Sequence, residues 1–406
     1  MIDDNLMSDL GLVIPAELAQ HFIPKLKELG YLTKALWTPD AAWTIQVAAD
    51  CEVPFAASES DEVLLRKDVQ LVLIIGCPVI SAQISIKALG IGKHVICDIP
   101  ASLNSTQTIR MVQAADYYPQ LIALVGFGMR HLEIFQKMRQ LLQQLAIGRL
   151  LLFEVVVRFE GFQCRRYNWK FDQLSGGGIL NLVGNHIVDL ICFLVGKRAF
   201  SVQGVVQNLP VKLPVQDDSE PKSAADLSGN LDDDDFRKMS ADNYSSFIMH
   251  FEGGLHASVS LSALGTPNFI YQFLCWGTHG QLIVENCKLY LVRFTPQGPV
   301  KELILTDPHG ALSNASVGDS FGYPNKSLTR LHQLTLQNTL RALSKPLSTL
   351  LFPNADVLSV KSKQNSLNSA ASFEDALYVS NVLDALRISS LRGEETAIQF
   401  TPTKST

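Results

Sequence analysis

The sequence lacks several features that would assign the protein to a specialised class. Its 406 residues include no run of about 18 apolar residues, so we expect no membrane span. Seven cysteines show neither a CxxC spacing nor the Cys/His spacing of a metal site, and most lie in apolar stretches. We therefore expect reduced, buried thiols and no metal. The N-terminus does not resemble a signal peptide, and we expect a cytoplasmic or nuclear location.

Charge is also scarce. Charged residues make up 18% of the chain and the net charge is −5, with the basic residues dispersed. This composition and the absence of a nucleic-acid motif argue against binding to nucleic acid or to a membrane surface. Apolar residues, in contrast, make up 47% of the chain. A chain of this length and composition can bury a large core and is long enough for two domains.

Residues 1–125 alternate between apolar strand-like runs and helical patterns. The runs at 10–14, 32–37, 53–55, 69–75, 94–97 and 121–126 are predicted strands, and helices are predicted between them, including 16–29, 40–50 and 105–115. The run from Val69 to Ile75 is continuously apolar, which is typical of a parallel strand covered on both faces. This domain is therefore predicted to be a Rossmann-type, doubly wound parallel sheet.

Residues 126–406 follow a different pattern and form the second predicted domain. A helix at 131–146, a long strand at 150–160 and a helix at 179–195 precede closely spaced strands from 200 to 294. Gly253-Gly254 between two of these strands indicates a hairpin. Further helices are predicted at 327–344 and 372–390. We expect a mostly antiparallel, open-faced sheet with helices on its other face, so the whole chain is α/β plus α+β.

One segment interrupts the second domain. Residues 215–242 are polar, acidic and nearly free of bulky apolar side chains. Such a composition cannot bury enough apolar surface to fold, so a disordered acidic loop is predicted, with a regulated or partner-binding loop as the alternative.

Local sequence strings resemble a known family. The stretch VQLVLIIGCPVISAQISIKALGIGKHVICDIP (69–100) is similar to the end of the dinucleotide-binding half of the Gfo/Idh/MocA oxidoreductases. Three more strings, ALW (35–37), GGG…IVDL (176–190) and AASFEDALY (370–378), resemble one branch, the animal glucose–fructose oxidoreductase domain-containing proteins. The resemblance implies a two-domain oxidoreductase fold with an NAD(P) site, and homodimers formed through the C-terminal sheet.

The cofactor positions depart from the family pattern. Alignment puts Ile14 to Ala19 at the Gly-x-Gly-x-x-Gly turn, where Pro15 removes an N–H and Ala16 replaces a glycine. The second strand ends in Trp37, where NAD enzymes usually carry an acidic residue; Asp40 could serve instead or cap the next helix. Cys77-Pro78 keeps the family's proline. We expect no bound cofactor, with NAD(P) as the cofactor if these five positions, Pro15, Ala16, Trp37, Cys77 and Pro78, are still competent.

The catalytic positions also depart from it. The family's enzymes carry Glu-Lys-Pro where this chain has Asp98-Ile99-Pro100. In the family's second motif, GGG-x-L-x-D-x-G-x-H-x-x-D, Leu182 occupies the first aspartate position, while His186 and Asp189 remain. His186 and Asp98 are the candidate catalytic residues, and each has a structural alternative, a hydrogen-bonded core histidine and a turn carboxylate.

Two functions follow from these departures. The first is a pseudoenzyme, a homodimeric scaffold that binds a protein partner. The second is a divergent NAD(P)-dependent oxidoreductase acting on a sugar or polyol, with His186 and either Asp98 or Tyr167 transferring the proton. A small-molecule sensor that uses the old cleft is a third possibility. Arg165, Arg166, Tyr167 and Trp169 could meet an anion or form a solvated turn.

Overall fold

The computed structural model describes residues 8–158, 169–210, 212–214, 236–264, 270–307, 336, 339–343 and 369–399. They fall into two compact units. The first is drawn from Met1–Gln136 and Gln333–Asn381, and the second from Lys137–His332 and Val382–Gln399. This division falls at 136/137 where the predicted boundary is 125/126, and it assigns part of the C-terminal region to the first unit.

The first unit contains a seven-stranded sheet. Its strands are β1 (Ser8–Val13), β2 (Tyr31–Trp37), β3 (Phe55–Ala56), β4 (Leu71–Ile74), β5 (His94–Cys97), β6 (Ala123–Val125) and β17 (Ala371–Ser372). The strand order is β17-β6-β5-β4-β1-β2-β3, and only β17 pairs antiparallel. The predicted parallel Rossmann-type sheet is confirmed, with β17 as an added edge strand.

Helices connect the parallel strands: α1 (Ala16–Glu28), α2 (Ala41–Asp50), α3 (Ser60–Leu65), α4 (Pro78–Gly90) and α5 (Ser105–Tyr117). Two of these helices, α2 and α5, begin with a side-chain cap. Asp40 Oδ1 accepts from Trp43 N at 3.1 Å, and Asn104 Oδ1 accepts from Gln107 N at 3.1 Å. The short helix α3 is an element that the sequence pattern did not predict.

The C-terminal part of the chain contributes to this core. Leu336, Leu340 and Leu343 lie in one buried cluster with side chains of β1, α1 and β2. Tyr31, in β2, donates a hydrogen bond from its hydroxyl to the carbonyl of Leu340 at 2.9 Å. Hydrophobic burial and this bond explain why the segment belongs to the first unit.

The second unit contains a nine-stranded sheet. Its strands are β7 (Leu150–Arg158), β8 (Ser201–Gln207), β11 (Tyr244–Phe251), β12 (Leu255–Ser262), β13 (Ile270–Gly277), β14 (Gly280–Glu285), β15 (Lys288–Thr295), β16 (Gly298–Thr306) and β18 (Thr396–Ala397). The order is β16-β15-β14-β13-β7-β12-β11-β8-β18, and only β7 and β12 pair parallel. The predicted mostly antiparallel sheet is confirmed, and Gly253 and Gly254, with φ of 85° and 78°, turn the β11–β12 hairpin.

The remaining helices are α6 (Glu133–Gln143), α7 (Asn185–Val195) and α8 (Phe373–Arg392). Short 3₁₀ turns cover Gly128–His131 and Trp169–Phe171, and a π-helical turn, Leu180–Gly184, precedes α7. Ser372 and Asp375 begin α8 as a reciprocal cap: Ser372 Oγ accepts from Asp375 N at 3.2 Å, and Asp375 Oδ2 accepts from Ser372 N at 3.1 Å. The helix predicted over 372–390 is confirmed by α8.

The structure describes only the end of the predicted acidic loop, 215–242. Residues 215–235 lie outside the described part of the chain. At the end of the segment, β10 (Phe236–Lys238) pairs antiparallel with β9 (Lys212–Pro214), and Asp242 is buried. Strand pairing and burial therefore begin within the segment, because its last residues pack onto the second unit.

Candidate functional site

The turn between β1 and α1 is the position at which a dinucleotide fold holds pyrophosphate. Pro15 is the N-terminal cap of α1, with φ −57° and ψ 140°, and it provides no side-chain cap. Its carbonyl accepts from Leu18 N at 3.0 Å and from Ala19 N at 3.1 Å. Proline has no N–H to offer, so this turn presents fewer donors to an anion than a glycine turn does.

The side chains at the glycine positions do not fit a pyrophosphate. Ile14 is 1% exposed and belongs to the core of the first unit, and Ala16, in the first turn of α1, is 7% exposed. The Ala16 methyl group occupies the place where the family's second glycine lets the backbone approach the phosphates. Ala19 is fully buried and suits the third position, which tolerates alanine.

The end of β2 is closed by its own hydrogen bonds. Thr38 Oγ1 lies 2.8 Å from Thr44 Oγ1 and donates to the carbonyl of Asp40 at 2.9 Å. Trp37 Nε1 donates to the carbonyl of Ser58 at 3.2 Å. Because Asp40 Oδ1 caps α2, the capping alternative for Asp40 is confirmed, and this strand end carries no carboxylate in the ribose position.

The turn after β4 contains a glycine with positive φ. Gly76 has φ +143°, and a Cβ placed there would lie 3.4 Å from the Pro15 ring. Cys77 precedes Pro78, the first residue of α4, and Ser81 Oγ donates to the Cys77 carbonyl at 3.0 Å. Cys77 and Pro78 therefore serve the start of a helix, which is a structural role.

The turn after β5 carries the candidate base. Asp98 is 4% exposed, and its N–H donates to the Ile74 carbonyl at 2.8 Å. A Cβ on Gly126 would come within 2.9 Å of Asp98 Oδ1, so the glycine makes room for the carboxylate. Ile99 is 7% exposed, and a cis peptide bond joins it to Pro100. The family's lysine position therefore holds a buried butyl group with no ionisable proton.

In the second unit, three glycines lead into the motif helix. A Cβ on Gly177 would lie 2.3 Å from the Lys170 carbonyl oxygen. Gly178 has φ +101°, and a Cβ there would lie 2.4 Å from Asp242 Oδ1. Close backbone approach at Gly177 and the positive φ at Gly178 explain why the turn needs glycine.

Asp242 caps the helical turn that follows. Its carboxylate Oδ2 accepts from Leu180 N and its carbonyl accepts from Ile179 N, both at 2.8 Å. Burial raises the pKa of Asp242, while the Leu180 hydrogen bond and the charge of Arg387 oppose that rise. The sequence pattern missed this residue because it lies at the end of a polar segment, 62 positions from its partner.

Arg387 reaches the same turn from α8. Its Nη2 donates to Asn181 Oδ1 at 2.7 Å, and its Nη1 lies 3.3 Å from Asp384 Oδ1. Asn181 Nδ2 donates back to the Gly176 carbonyl at 3.1 Å, and Asn185 Nδ2 donates to the Asn181 carbonyl at 2.7 Å. The polar side chains beside the motif thus hold the glycine turn in place.

The helix that carries His186 begins with an irregular turn. The chain makes a π-helical turn over Leu180–Gly184, so the spacing of 3.6 residues per turn that relates position 182 to position 186 does not hold there. Leu182 is partly exposed, whereas His186 is 8% and Asp189 2% exposed. His186 and Asp98 belong to different units.

The structure does not describe three of the candidate residues. Arg165, Arg166 and Tyr167 lie outside the described residues, and Trp169 begins a 3₁₀ turn. Among the residues that the structure describes, no group of three or more His, Cys, Asp or Glu side chains could hold a metal ion. In the same part of the chain, no helix has both the length and the apolar character needed to cross a membrane.

The fold and the site define a class, the NAD-binding Rossmann-fold oxidoreductases. A model described as "Oxidoreductase family, NAD-binding Rossmann fold" matches residues 14–139, and the GFO/IDH/MocA C-terminal domain matches residues 135–283. Glucose-fructose oxidoreductase domain-containing protein 1 of Mus musculus is 32% identical over 389 residues, covering 96% of this chain and 92% of that protein. The chain belongs to the Gfo/Idh/MocA oxidoreductase family.

Solved structures share the fold at low identity. Levoglucosan dehydrogenase in complex with NADH and levoglucosan is similar with a TM-score of 0.72 and 17% identity, covering 96% of this chain and 99% of that one. A super-repressor mutant of Gal80p from Saccharomyces cerevisiae also has a TM-score of 0.72, with 12% identity, covering 97% of this chain and 98% of that one.

Proposed function

We propose that this protein has lost oxidoreductase chemistry and acts as a homodimeric scaffold that binds a protein partner. The observation that carries the proposal is the buried Ile99, 7% exposed, where the family's enzymes carry a lysine. Oxidising a carbinol needs a group that accepts the hydroxyl proton as hydride leaves carbon, and such a group contributes roughly 10²–10⁴-fold to the rate. A butyl side chain cannot accept a proton.

Two further positions support the proposal. Leu182 stands where the motif has an aspartate, so a second proton-handling group is missing. The α1 turn, with Pro15 and Ala16, offers a poor fit to a pyrophosphate. Each loss alone could be compensated, but the three together remove binding and proton transfer at once.

The hydrogen bonds around the glycine turn support the proposal in another way. Asp242 caps the turn, and Asn181 links it to Arg387. Because this network stabilises the fold without needing a cofactor, it suits a protein in which the fold itself is used. One solved structure of this fold is described as a repressor mutant, which is a use other than redox catalysis.

The open face of the second sheet is the proposed dimer surface. Val205, Ile248, Ile270 and Trp276 lie on one face and are 37–43% exposed. Exposed apolar side chains on an open sheet face favour association. We place the protein in the cytoplasm or nucleus, where buried thiols such as Cys97, whose pKa burial raises to about 12, stay reduced.

The alternative function is a divergent NAD(P)-dependent oxidoreductase acting on a sugar or polyol. It is favoured by the NAD-binding family match and by the presence of two buried polar side chains, His186 and Asp98, at the motif positions. Under this alternative the helix start must hold pyrophosphate without glycines, and one of these two side chains must transfer the proton.

Cofactor titration separates the two functions. NADH and NADPH are added to the purified protein and the thermal unfolding midpoint is followed. A ligand at 100 times its Kd stabilises by about 2.7 kcal/mol, which is readily detected. The scaffold proposal predicts no shift at millimolar cofactor. A shift that disappears in Ala16→Asp, where a carboxylate would repel phosphate, would support the oxidoreductase.

The dimer and the partner are tested separately. Sedimentation at micromolar concentration should give a dimer for the wild type and a monomer for Ile248→Asp. The matched control is Ile45→Asp, since Ile45 is 65% exposed on α2 of the first unit. A monomeric wild type would contradict the dimer. Failure to recover any specific partner from source cells would count against the scaffold role.

A further inference from the structure

Two histidines face each other on the β11–β12 hairpin. His250 and His256 are directly opposed in the strand register, and their Nδ1 atoms lie 2.9 Å apart. The ring centroids are 4.9 Å apart, with the ring planes at 85°. We propose that this pair chelates a divalent transition-metal ion through the two Nδ1 atoms, with Cu²⁺ bound most tightly. This metal-site proposal does not depend on the proposed loss of redox chemistry.

The metal-free distance between the two nitrogens is close to the one that chelation of a single ion needs. Imidazole nitrogens bind such ions at about 2.0–2.1 Å. Two nitrogens at a right angle around the ion are then roughly 2.9 Å apart, and at a tetrahedral angle roughly 3.3 Å apart. The observed 2.9 Å fits neighbouring positions of a square-planar or octahedral ion. This geometry favours Cu²⁺ and Ni²⁺ over Zn²⁺, which prefers tetrahedral sites.

The burial of each ring decides which of its nitrogens can bind a metal ion. His250 Nε2 is buried and has no hydrogen-bond partner among the described residues, so Nδ1 is the nitrogen that this ring offers to a ligand. In the single chain His256 is exposed, and the pair lies at the hairpin end of the sheet face that carries Ile248, so the metal titration is also run on the monomeric Ile248→Asp variant. Without metal, one Nδ1 donates its proton to the other. Metal binding needs both Nδ1 lone pairs, so that proton moves to the Nε2 of its ring.

The hairpin holds the two rings in place before any ion arrives. Met249 and Phe251 flank His250, and Leu255 and Ala257 flank His256; all four are 7% exposed or less. The buried neighbours anchor both strands, so little conformational entropy is lost on chelation. Since the described residues contain no group of three candidate ligands, the other coordination positions are left to water or to a ligand from solution. The site is therefore an open, exchangeable one.

The test uses the full-length, tag-free protein with CuCl₂, NiCl₂ and ZnCl₂ added singly. Calorimetry should give one Cu²⁺ per chain and affinities in the order Cu²⁺, Ni²⁺, Zn²⁺. The electron paramagnetic resonance spectrum of the Cu²⁺ form should show two equivalent nitrogens. His256→Ala should weaken Cu²⁺ binding by more than the 10–100-fold that loss of an outer-shell partner costs.

The control is His279→Ala, which removes another exposed histidine of the same unit and should leave Cu²⁺ binding unchanged. His256 is exposed, so its variant should keep the metal-free unfolding midpoint, which is measured alongside. Equal Cu²⁺ affinity in wild type and His256→Ala would overturn the proposal. So would a spectrum with fewer than two nitrogens, or no binding by the wild type.

Discussion

Arg387 donates a hydrogen bond to Asn181 across 2.7 Å, joining α8 to the glycine motif 206 positions earlier in the chain. The same guanidinium provides positive charge near Asp242, which caps that motif. A residue from the last helix thus supports the turn that carries the family's second motif. The motif is maintained by these contacts even though Leu182 has replaced the aspartate.

Arg387→Met should lower the free energy of unfolding by about 1–3 kcal/mol, because Asn181 Oδ1 loses its donor and Asp242 loses a neighbouring charge. Chemical denaturation measures the change. Arg392→Met is the control, since that arginine side chain is 65% exposed and pairs with exposed Glu394. Equal stability of both variants would show that the Asn181 bond contributes nothing measurable.

Asp242→Ala should destabilise by about 1–2 kcal/mol, because Leu180 N loses its cap. Asp242→Asn keeps an oxygen acceptor and should cost much less. Because burial raises the pKa of Asp242 above its unfolded value, the folded protein holds this proton more tightly. The wild type should therefore lose stability as pH rises through the folded pKa, and the Asn variant should not show that loss. Denaturation over a pH series compares them.

His131 should give an acid-sensitive contribution to stability. Burial and the neighbouring Arg130 lower its pKa from 6.5 to about 4. The unfolded chain binds the proton below pH 6.5 and the folded protein only near 4, so the contribution is complete above 6.5 and is lost as pH falls toward 4. The loss should reach roughly 3 kcal/mol. His131→Gln should remove this pH dependence of the free energy of unfolding, and His279→Gln should keep it. A pH dependence that persists in His131→Gln would contradict the assignment.

Ile99→Lys restores the amine of the family's enzymes but should not restore oxidoreductase activity, because the α1 turn and Leu182 are unchanged. Nicotinamide absorbance with a panel of sugars checks this. The variant should also lose roughly 3 kcal/mol of stability, since burial disfavours an ammonium. Ile99→Leu conserves volume and should cost less than about 1.5 kcal/mol. Turnover by Ile99→Lys would show that the remaining site is competent.

Local features of the fold could be predicted from the sequence. The caps at Asn104 and Ser372 and the turn at Gly253-Gly254 depend on atoms within a few residues, so short patterns suffice to predict them. The buried strands of the first unit follow from continuous apolar runs such as Val69 to Ile75. Residue types at aligned motif positions also showed that Ile99 and Leu182 replace a lysine and an aspartate.

The sequence by itself thus determined the kinds of element, their order and the chemical groups missing from the motif positions. The tertiary structure decided which distant residues support the motif. The Asp242 carboxylate lies against Gly178, and Arg387 donates a hydrogen bond to Asn181. The tertiary structure also decided that β17 joins the first sheet, and that His250 opposes His256. These contacts depend on strand order and register, which bring together residues far apart in the chain. Periodicity reports only which face of an element is buried, so it carries no information about the partner on that face.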